Sequence, residues 1–274
     1  MFNFNIKKRE LKDYKLLNQD SFEYMKTLPD NSIPIIVSDP PYGISFEGHK
    51  WDTFDEENSF YDFIKEVLSN FKRILKENGV IWMFCAPTMF DVVDKAIRDN
   101  GLKNHLEWWK SIQRQKGRGS KSRPKSQRED ILLITKTDNF VFNDLSDIFK
   151  YDETVTNTLD VTIGEVVRPE FNIYDSVFYF KMPYYLSKTE KMFHSCQKSI
   201  LLLYSLIVNF SKKDDTVFDA FAGSGSTGIA ALLADRNFVG CELDKDMYEK
   251  ALNWKSSFNF DNYKRTFLKD LKDE

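Results

Sequence analysis

The chain has 274 residues, 42% of them hydrophobic, enough for one large α/β domain or two small ones around a sizeable core. A formal net charge of −3 and a pI of about 5.8 exclude a uniformly basic nucleic-acid binder, so any such surface has to be local. Cys85, Cys196 and Cys241 are widely spaced, with no CxxC pair and no disulfide framework, which points to a reducing compartment and no structural metal.

The opening MFNFNIKKRELKD lacks the apolar stretch of a signal peptide, and the longest apolar run, ILLLYSLIV at 200–208, is about half of a membrane span. A soluble, cytoplasmic protein is expected. SFEYMKTLPD reads as a short helix ending at Leu28-Pro29. Ile33–Val37 reads as a buried strand, followed by the stiff turn Asp39-Pro40-Pro41-Tyr42, in which neither proline can donate a backbone hydrogen bond. Phe60, Phe63, Ile64, Val67, Leu68, Phe71, Ile74 and Leu75 keep a 3.6-residue spacing and predict a helix stopped by Gly79. VIWMFCA is a second buried strand, and TMFDVVDKAIRDNG a second amphipathic helix. This alternation predicts βαβ units and a mostly parallel sheet.

The middle of the chain differs. Lys110, Arg114, Lys116, Arg118, Lys121, Arg123, Lys125 and Arg128 follow one another without an intervening acid, among glycines and serines that predict a loop. Such a run is a local footprint for phosphates, although a solvated loop has the same composition. Trp108 and Trp109 beside it are assigned to core. EDILLITKT returns to the sheet, and residues 140–190, polar and rich in Asp and aromatics, read as an inserted region outside the core.

The last third is α/β again. KSILLLYSLIVNFS is a helix, and FDAFAGSGSTGIAALLA follows a strand at 216–218 and opens another helix. In that setting Gly223 and Gly225 let backbone approach a ligand, and the free N–H groups of the helix start face it. One strand later Glu242 stands where a carboxylate can accept both hydroxyls of a ribose. Gly228 completes a GxGxxG pattern, so glycines alone leave NAD open, as they leave open a ligand-free packing turn.

Taken together, DPPY after a strand and DAFAGSGST downstream resemble the β group of DNA amino-methyltransferases that use S-adenosylmethionine (SAM). The resemblance covers nearly the whole chain. His194, Gln197 and Lys198 match its H-P-x-x-K-P pattern, with Ser195 and Ser199 in place of the prolines, and Asp219-Ala220-Phe221 stands for D-P-F. It implies a Rossmann-like SAM-dependent methyltransferase fold with a mostly parallel sheet and an inserted target-recognition region. Residues 1–139 would form the catalytic half with the basic loop 110–128, residues 140–190 the target-recognition region, and residues 191–274 the SAM-binding half.

The implied substrate is double-stranded DNA, with one base flipped out of the stack. Asp39 and the Pro40 carbonyl would accept from its exocyclic amine, Pro41 would stiffen the turn, and Tyr42 would stack on the base. Asp219, Phe221, Gly223, Ser224 and Gly225 would flank SAM. Glu242 would take the ribose, Asp20 the adenine end, and Lys198 and Thr227 the carboxylate end. Arg114, Lys116, Arg118, Lys121, Arg123, Lys125 and Arg128 would contact DNA, with Trp51 either facing the base or packing; His194 would be structural. DPPY resembles the adenine-N6 form, with cytosine-N4 the alternative and a catalytically silent DNA- or SAM-binding protein another. The resemblance leaves a homodimer and a cognate restriction endonuclease open as partners.

Overall fold

The computed structural model describes residues 12–54, 57–106, 110–113, 128–143, 177–178, 193 and 196–267. In chain order these form β1 (Tyr14–Leu17), α1 (Ser21–Thr27), β2 (Ile33–Ser38), α2 (Glu57–Ile74), β3 (Leu75–Cys85), α3 (Phe90–Asp99), β4 (Lys103–Asn104), β5 (Lys110–Gln113), β6 (Arg128–Thr135), β7 (Val177–Phe178), α4 (Ile200–Phe210), β8 (Thr216–Asp219), α5 (Ser226–Leu233), β9 (Asn237–Cys241), α6 (Lys245–Ser257) and α7 (Phe260–Phe267). The strands make one nine-stranded sheet in the order β1-β9-β8-β2-β3-β6-β5-β7, with β4 pairing β6. The β1/β9, β9/β8, β8/β2 and β2/β3 pairs are parallel, and β6 runs antiparallel to β3, β4 and β5.

Helices cover both faces, which is why the central strands read as unbroken apolar runs. The two-residue strand period sends Val80, Trp82 and Phe84 to one side, against α4, α5 and α7 residues such as Leu203, Ile229 and Tyr263. It sends Ile81, Met83 and Cys85 to the other, against Met25 of α1, Ile64 and Phe71 of α2 and Ile97 of α3. Each of these buried side chains contributes about 1.5–3 kcal/mol relative to exposure.

Three expectations change. The helix before β3 ends at Ile74, not at Gly79, because Leu75 already pairs with Ile33 of β2. Gly79 is instead a close-approach residue: a Cβ there would lie 2.7 Å from the Pro34 carbonyl oxygen. The basic run 110–128 is not all loop, since Lys110–Gln113 form β5 and Arg128 opens β6, with Gln113 opposite Arg128. Arg114, Lys116, Arg118, Lys121, Arg123 and Lys125 lie outside the described residues, as do Trp108, Trp109 and His194. Finally, residues 140–143 belong with the core, where Phe140 and Phe142 pack on Phe210, and Asn143 donates to the Val208 and Ser211 carbonyls. Of the rest of the inserted region, 144–176 and 179–190 are outside the described residues, and Val177–Phe178 pairs with β5. Among the described residues no helix is long and apolar enough to cross a membrane.

The chain leaving β8 crosses through α5 to β9 on one side, and the chain leaving β2 crosses through α2 to β3 on the other. The order of winding therefore reverses between β8 and β2. In open α/β sheets the crevice above the carboxyl ends of the strands at such a reversal is where ligands bind.

Candidate active site

Four carboxylates stand at the carboxyl ends of neighbouring parallel strands: Asp20 after β1, Glu242 after β9, Asp219 ending β8 and Asp39 after β2. Each is anchored differently. Asp20 caps α1, accepting from the Phe22 and Glu23 amides at 2.8 and 3.1 Å. Glu242 accepts from the Gly223 amide and the Asp244 amide, each at 2.8 Å, so it ties the glycine turn to the strand beside it. Its carboxyl is pushed up by burial, opposed by those two amides. Asp219 is buried and accepts from the Phe221 amide at 3.1 Å, the Ser38 hydroxyl at 3.3 Å and the Thr227 side chain. Burial raises its pKa to about 7.

The glycine turn is built for close approach. Gly223 and Gly225 have φ of 50° and 77°, and Gly225 precedes the first turn of α5. Gly228 has a different task, since a Cβ there would meet the Tyr14 ring at 2.5 Å and the Phe238 ring at 2.7 Å. It lets α5 lie flat on β1 and β9, so the third glycine of the pattern serves packing. Ser224 and Thr227 are buried, and Phe221 is partly exposed with its ring 6.0 Å from that of Phe63.

On the β2 side the DPPY turn is locked from two directions. The Asp52 carboxylate accepts from the Tyr42, Gly43, Ile44 and Phe46 amides at 2.5 to 3.3 Å. Asp39 and Tyr42 join a compact ionic cluster with Glu129 of β6 and Lys198. The Lys198 ammonium donates to Asp39 at 2.8 Å, Glu129 at 2.9 Å and the Tyr42 oxygen at 3.1 Å. The Tyr42 hydroxyl contacts Asp39 Oδ1 and, at 2.8 Å, Glu129 Oε1. Burial raises Asp39 above the usual carboxylate range, aided by the Glu129 charge and opposed by Lys198. Burial, then the two carboxylates, holds the Tyr42 phenol well above its ordinary value.

Among the described residues, the structure places Asp39, Tyr42 and Lys198 in one cluster and Asp20, Asp219 and Glu242 at the ends of neighbouring strands. Lys198, expected at the carboxylate end of SAM, has its ammonium on Asp39, Glu129 and Tyr42. The Thr227 side chain is engaged by Asp219. Sequence reasoning missed Glu129 and Asp52. A faint signal for Glu129 was an acidic pair opening an otherwise apolar strand, because a buried carboxylate needs a partner. Trp51 is 48% exposed and stacks on His49 at 5.4 Å, which stacks on Phe46 at 6.4 Å. This aromatic ladder stands on the loop that follows DPPY. Gln113 and Arg128, where the basic connection leaves the sheet, lie at the end of β6 that faces Cys85 of β3, the same edge as Asp39.

A family model described as DNA methylase, of the N6/N4 type, matches residues 33–253. Type II methyltransferase M2.MboI of Moraxella bovis is 26% identical over 258 residues, covering 87% of this chain and 86% of that protein. Two solved structures share the fold. The M1.HpyAVI–SAM complex has a TM-score of 0.62 at 22% identity, covering 88% of this chain and 98% of that one. PvuII DNA methyltransferase, described as cytosine-N4-specific, has a TM-score of 0.67 at 14% identity, covering 96% of this chain and 94% of that one.

Proposed function

Because the chain belongs to the DNA methylase family of N6/N4 amino-methyltransferases, we propose that it methylates the N6 amine of adenine in a specific double-stranded DNA sequence. SAM supplies an electrophilic methyl group on a sulfonium. The observation that carries the reading is the pairing of Asp39 with the glycine turn 223–225 across the reversal between β2 and β8.

The residues present fit such a donor. Gly223 and Gly225, both at positive φ, shape a tight turn whose backbone can approach a donor, with the first amides of α5 beside it, although a Cβ on Gly225 would meet the Tyr14 hydroxyl oxygen at 3.0 Å. Asp20 and Glu242 bring carboxylates to the strand ends where a cation would sit. Glu242 keeps acceptor capacity for two ribose hydroxyls beyond its two amide contacts.

Asp39 and the Pro40 carbonyl accept from the exocyclic amine and aim its lone pair at the methyl group. The work is orientation and electrostatics, with no covalent intermediate on the protein. The Tyr42 ring, pinned by its hydroxyl, offers a face for a flipped base, and the half-buried Phe46 ring and the exposed His49 and Trp51 rings offer stacking beside it. The basic connection between β5 and β6 serves the DNA backbone. The β-group assignment rests on DPPY standing before the glycine turn in the chain, and the adenine assignment on the Asp of DPPY. The fold itself is shared with a cytosine-N4 enzyme, so cytosine-N4 is the alternative outcome.

The deciding experiment incubates the protein with methyl-labelled SAM and plasmid DNA, digests the DNA and identifies the labelled nucleoside. N6-methyl-2′-deoxyadenosine is expected; N4-methyl-2′-deoxycytidine would move the reading to the alternative, and no label in DNA would overturn it.

A further inference from the structure

Methylating an amine releases one proton, and the cluster behind Asp39 has room for one. Asp39 and Glu129 are two carboxylates that share the ammonium of Lys198, and the charge on Glu129 disfavours ionisation of Asp39. Side-chain exposures there are 20% for Asp39, 6% for Glu129 and 8% for Lys198. Such a cluster takes up a proton readily. The Tyr42 hydroxyl touches both carboxylates but has one proton, so it can donate to only one of them at a time.

We infer that Glu129 and Lys198 are positioning residues for Asp39, and that Tyr42 and Glu129 form the route by which the proton released in methyl transfer leaves Asp39. The inference rests on the methyltransferase reading above. The amine nitrogen forms a bond to the methyl carbon while the carbon–sulfur bond breaks, its electron pair remaining on sulfur. The nitrogen, now cationic, gives a proton to Asp39. Asp39 passes a proton to the Tyr42 oxygen as the Tyr42 hydroxyl proton moves to Glu129 Oε1, leaving Asp39 ionised and Tyr42 neutral. Lys198 keeps the two carboxylates within reach of the same phenol and stabilises whichever is ionised.

The charged groups around Asp39 define the pH dependence. Burial raises its affinity for protons, as does Glu129 from β6, and Lys198 ahead of α4 and the Tyr42 hydroxyl lower it. Asp219 at the end of β8 is electrostatically coupled to it. Removing the Glu129 charge should therefore move the Asp39 titration to lower pH, and removing the Lys198 charge should move it to higher pH. A purely structural role for either residue predicts no such opposite shifts.

The test uses the full chain. Carboxyl 13C titration of the SAM-free protein reads Asp39 directly in wild type, Glu129→Gln and Lys198→Met. Single-turnover rates against pH at saturating SAM and DNA read the consequence. Expected are a lower midpoint in E129Q, a higher one in K198M, and a plateau rate in E129Q reduced by ~100-fold, the usual scale of a missing acid–base partner. If K198M does not fold, E129Q alone decides. Tyr42→Phe cuts the same route, so E129Q/Y42F should lose no more than E129Q. An unmoved Asp39 midpoint in E129Q, a wild-type plateau rate, or multiplicative losses in the double variant would overturn the inference. Absence of methyl transfer by the wild type would instead strike the methyltransferase reading, and the 13C titration would still judge the cluster.

Discussion

At Asp219 the protein holds a buried carboxyl whose pKa is raised to about 7. In the unfolded chain an Asp titrates near 3.9. Between those values the native state binds more protons than the unfolded state, so this group makes stability fall as pH rises from about 4 to 7. The penalty is fully present above pH 7 and has an upper bound of about 4 kcal/mol. Asp219→Asn removes it while keeping an acceptor for the Phe221 amide. Urea unfolding should show the variant gaining more stability relative to wild type at pH 8 than at pH 5. Equal differences at both pH values would mean that Asp219 is ionised throughout. Asp39 obeys a different requirement under the proposed function, in which its carboxylate accepts from the target amine. Asp39→Ala should leave DNA binding nearly unchanged and cut methyl transfer by ~100-fold or more, the cost of removing a transition-state hydrogen bond. Retention of a tenth of the wild-type rate would exclude that role.

Besides the ionic cluster on Asp39 and Tyr42, one side chain holds the backbone of the DPPY turn and the loop after it. Asp52 gathers the amides of Tyr42, Gly43 and Ile44, which are in neither helix nor strand, and of Phe46, which opens a single 3-10 turn at Phe46–Gly48. Prolines fix φ but supply no amide, so the turn depends on this external acceptor for its shape. Gly43, at φ 71° and against the Phe60 ring, tolerates no Cβ in that shape. Asp52→Ala strands these donors at ~1–3 kcal/mol for each one that water fails to reach. The loop should then shift, moving Tyr42 and with it Asp39. Methyl-transfer rate is expected to fall by ~100-fold, the scale of an ångström-sized misplacement. SAM affinity, measured by calorimetry, should stay within about twofold because the glycine turn is on another strand. An equal loss in both quantities would show that Asp52 supports the domain as a whole and not this loop.

Over the whole molecule, charge is distributed unevenly. A net charge of −3 conceals an acidic crevice at the strand ends and a basic connection between β5 and β6 that leaves the sheet at the same edge. This layout suits a cationic donor inside and a polyanion outside. Replacing Arg114, Lys116, Arg118 and Lys121 together with Gln should weaken specific and non-specific duplexes alike. It should also flatten the dependence of log K on log salt by ~0.9 for each phosphate that the variant no longer neutralises. If one of these side chains reads a guanine edge instead, the weakening should concentrate at one base pair, at ~1–3 kcal/mol. Fluorescence anisotropy across a salt titration separates the two. Superimposable curves for wild type and variant would make the run a solvated surface.

Local signals determined much of this protein from sequence alone. The apolar runs of β2, β3 and β6 and the 3.6-residue spacing of α2 are properties of neighbouring residues, so they were legible, as were the DPPY turn, the glycine turn and Glu242. The short strands β1 and β4 were not, because Tyr14–Leu17 and Lys103–Asn104 carry too few residues for a period and gain their strand character from β9 and β6. The end of α2 was misplaced because Leu75 fits a helical stripe equally well, and pairing with Ile33 decides otherwise. The ionic cluster lay wholly beyond the sequence. Asp39, Tyr42, Glu129 and Lys198 come from three distant stretches, and nothing local to Glu129 or Lys198 names its partner. Only the antiparallel return of β6 beside β3, and the approach of the segment before α4, bring them to one edge. There the low dielectric makes a buried carboxylate untenable without an ammonium and a hydroxyl in reach.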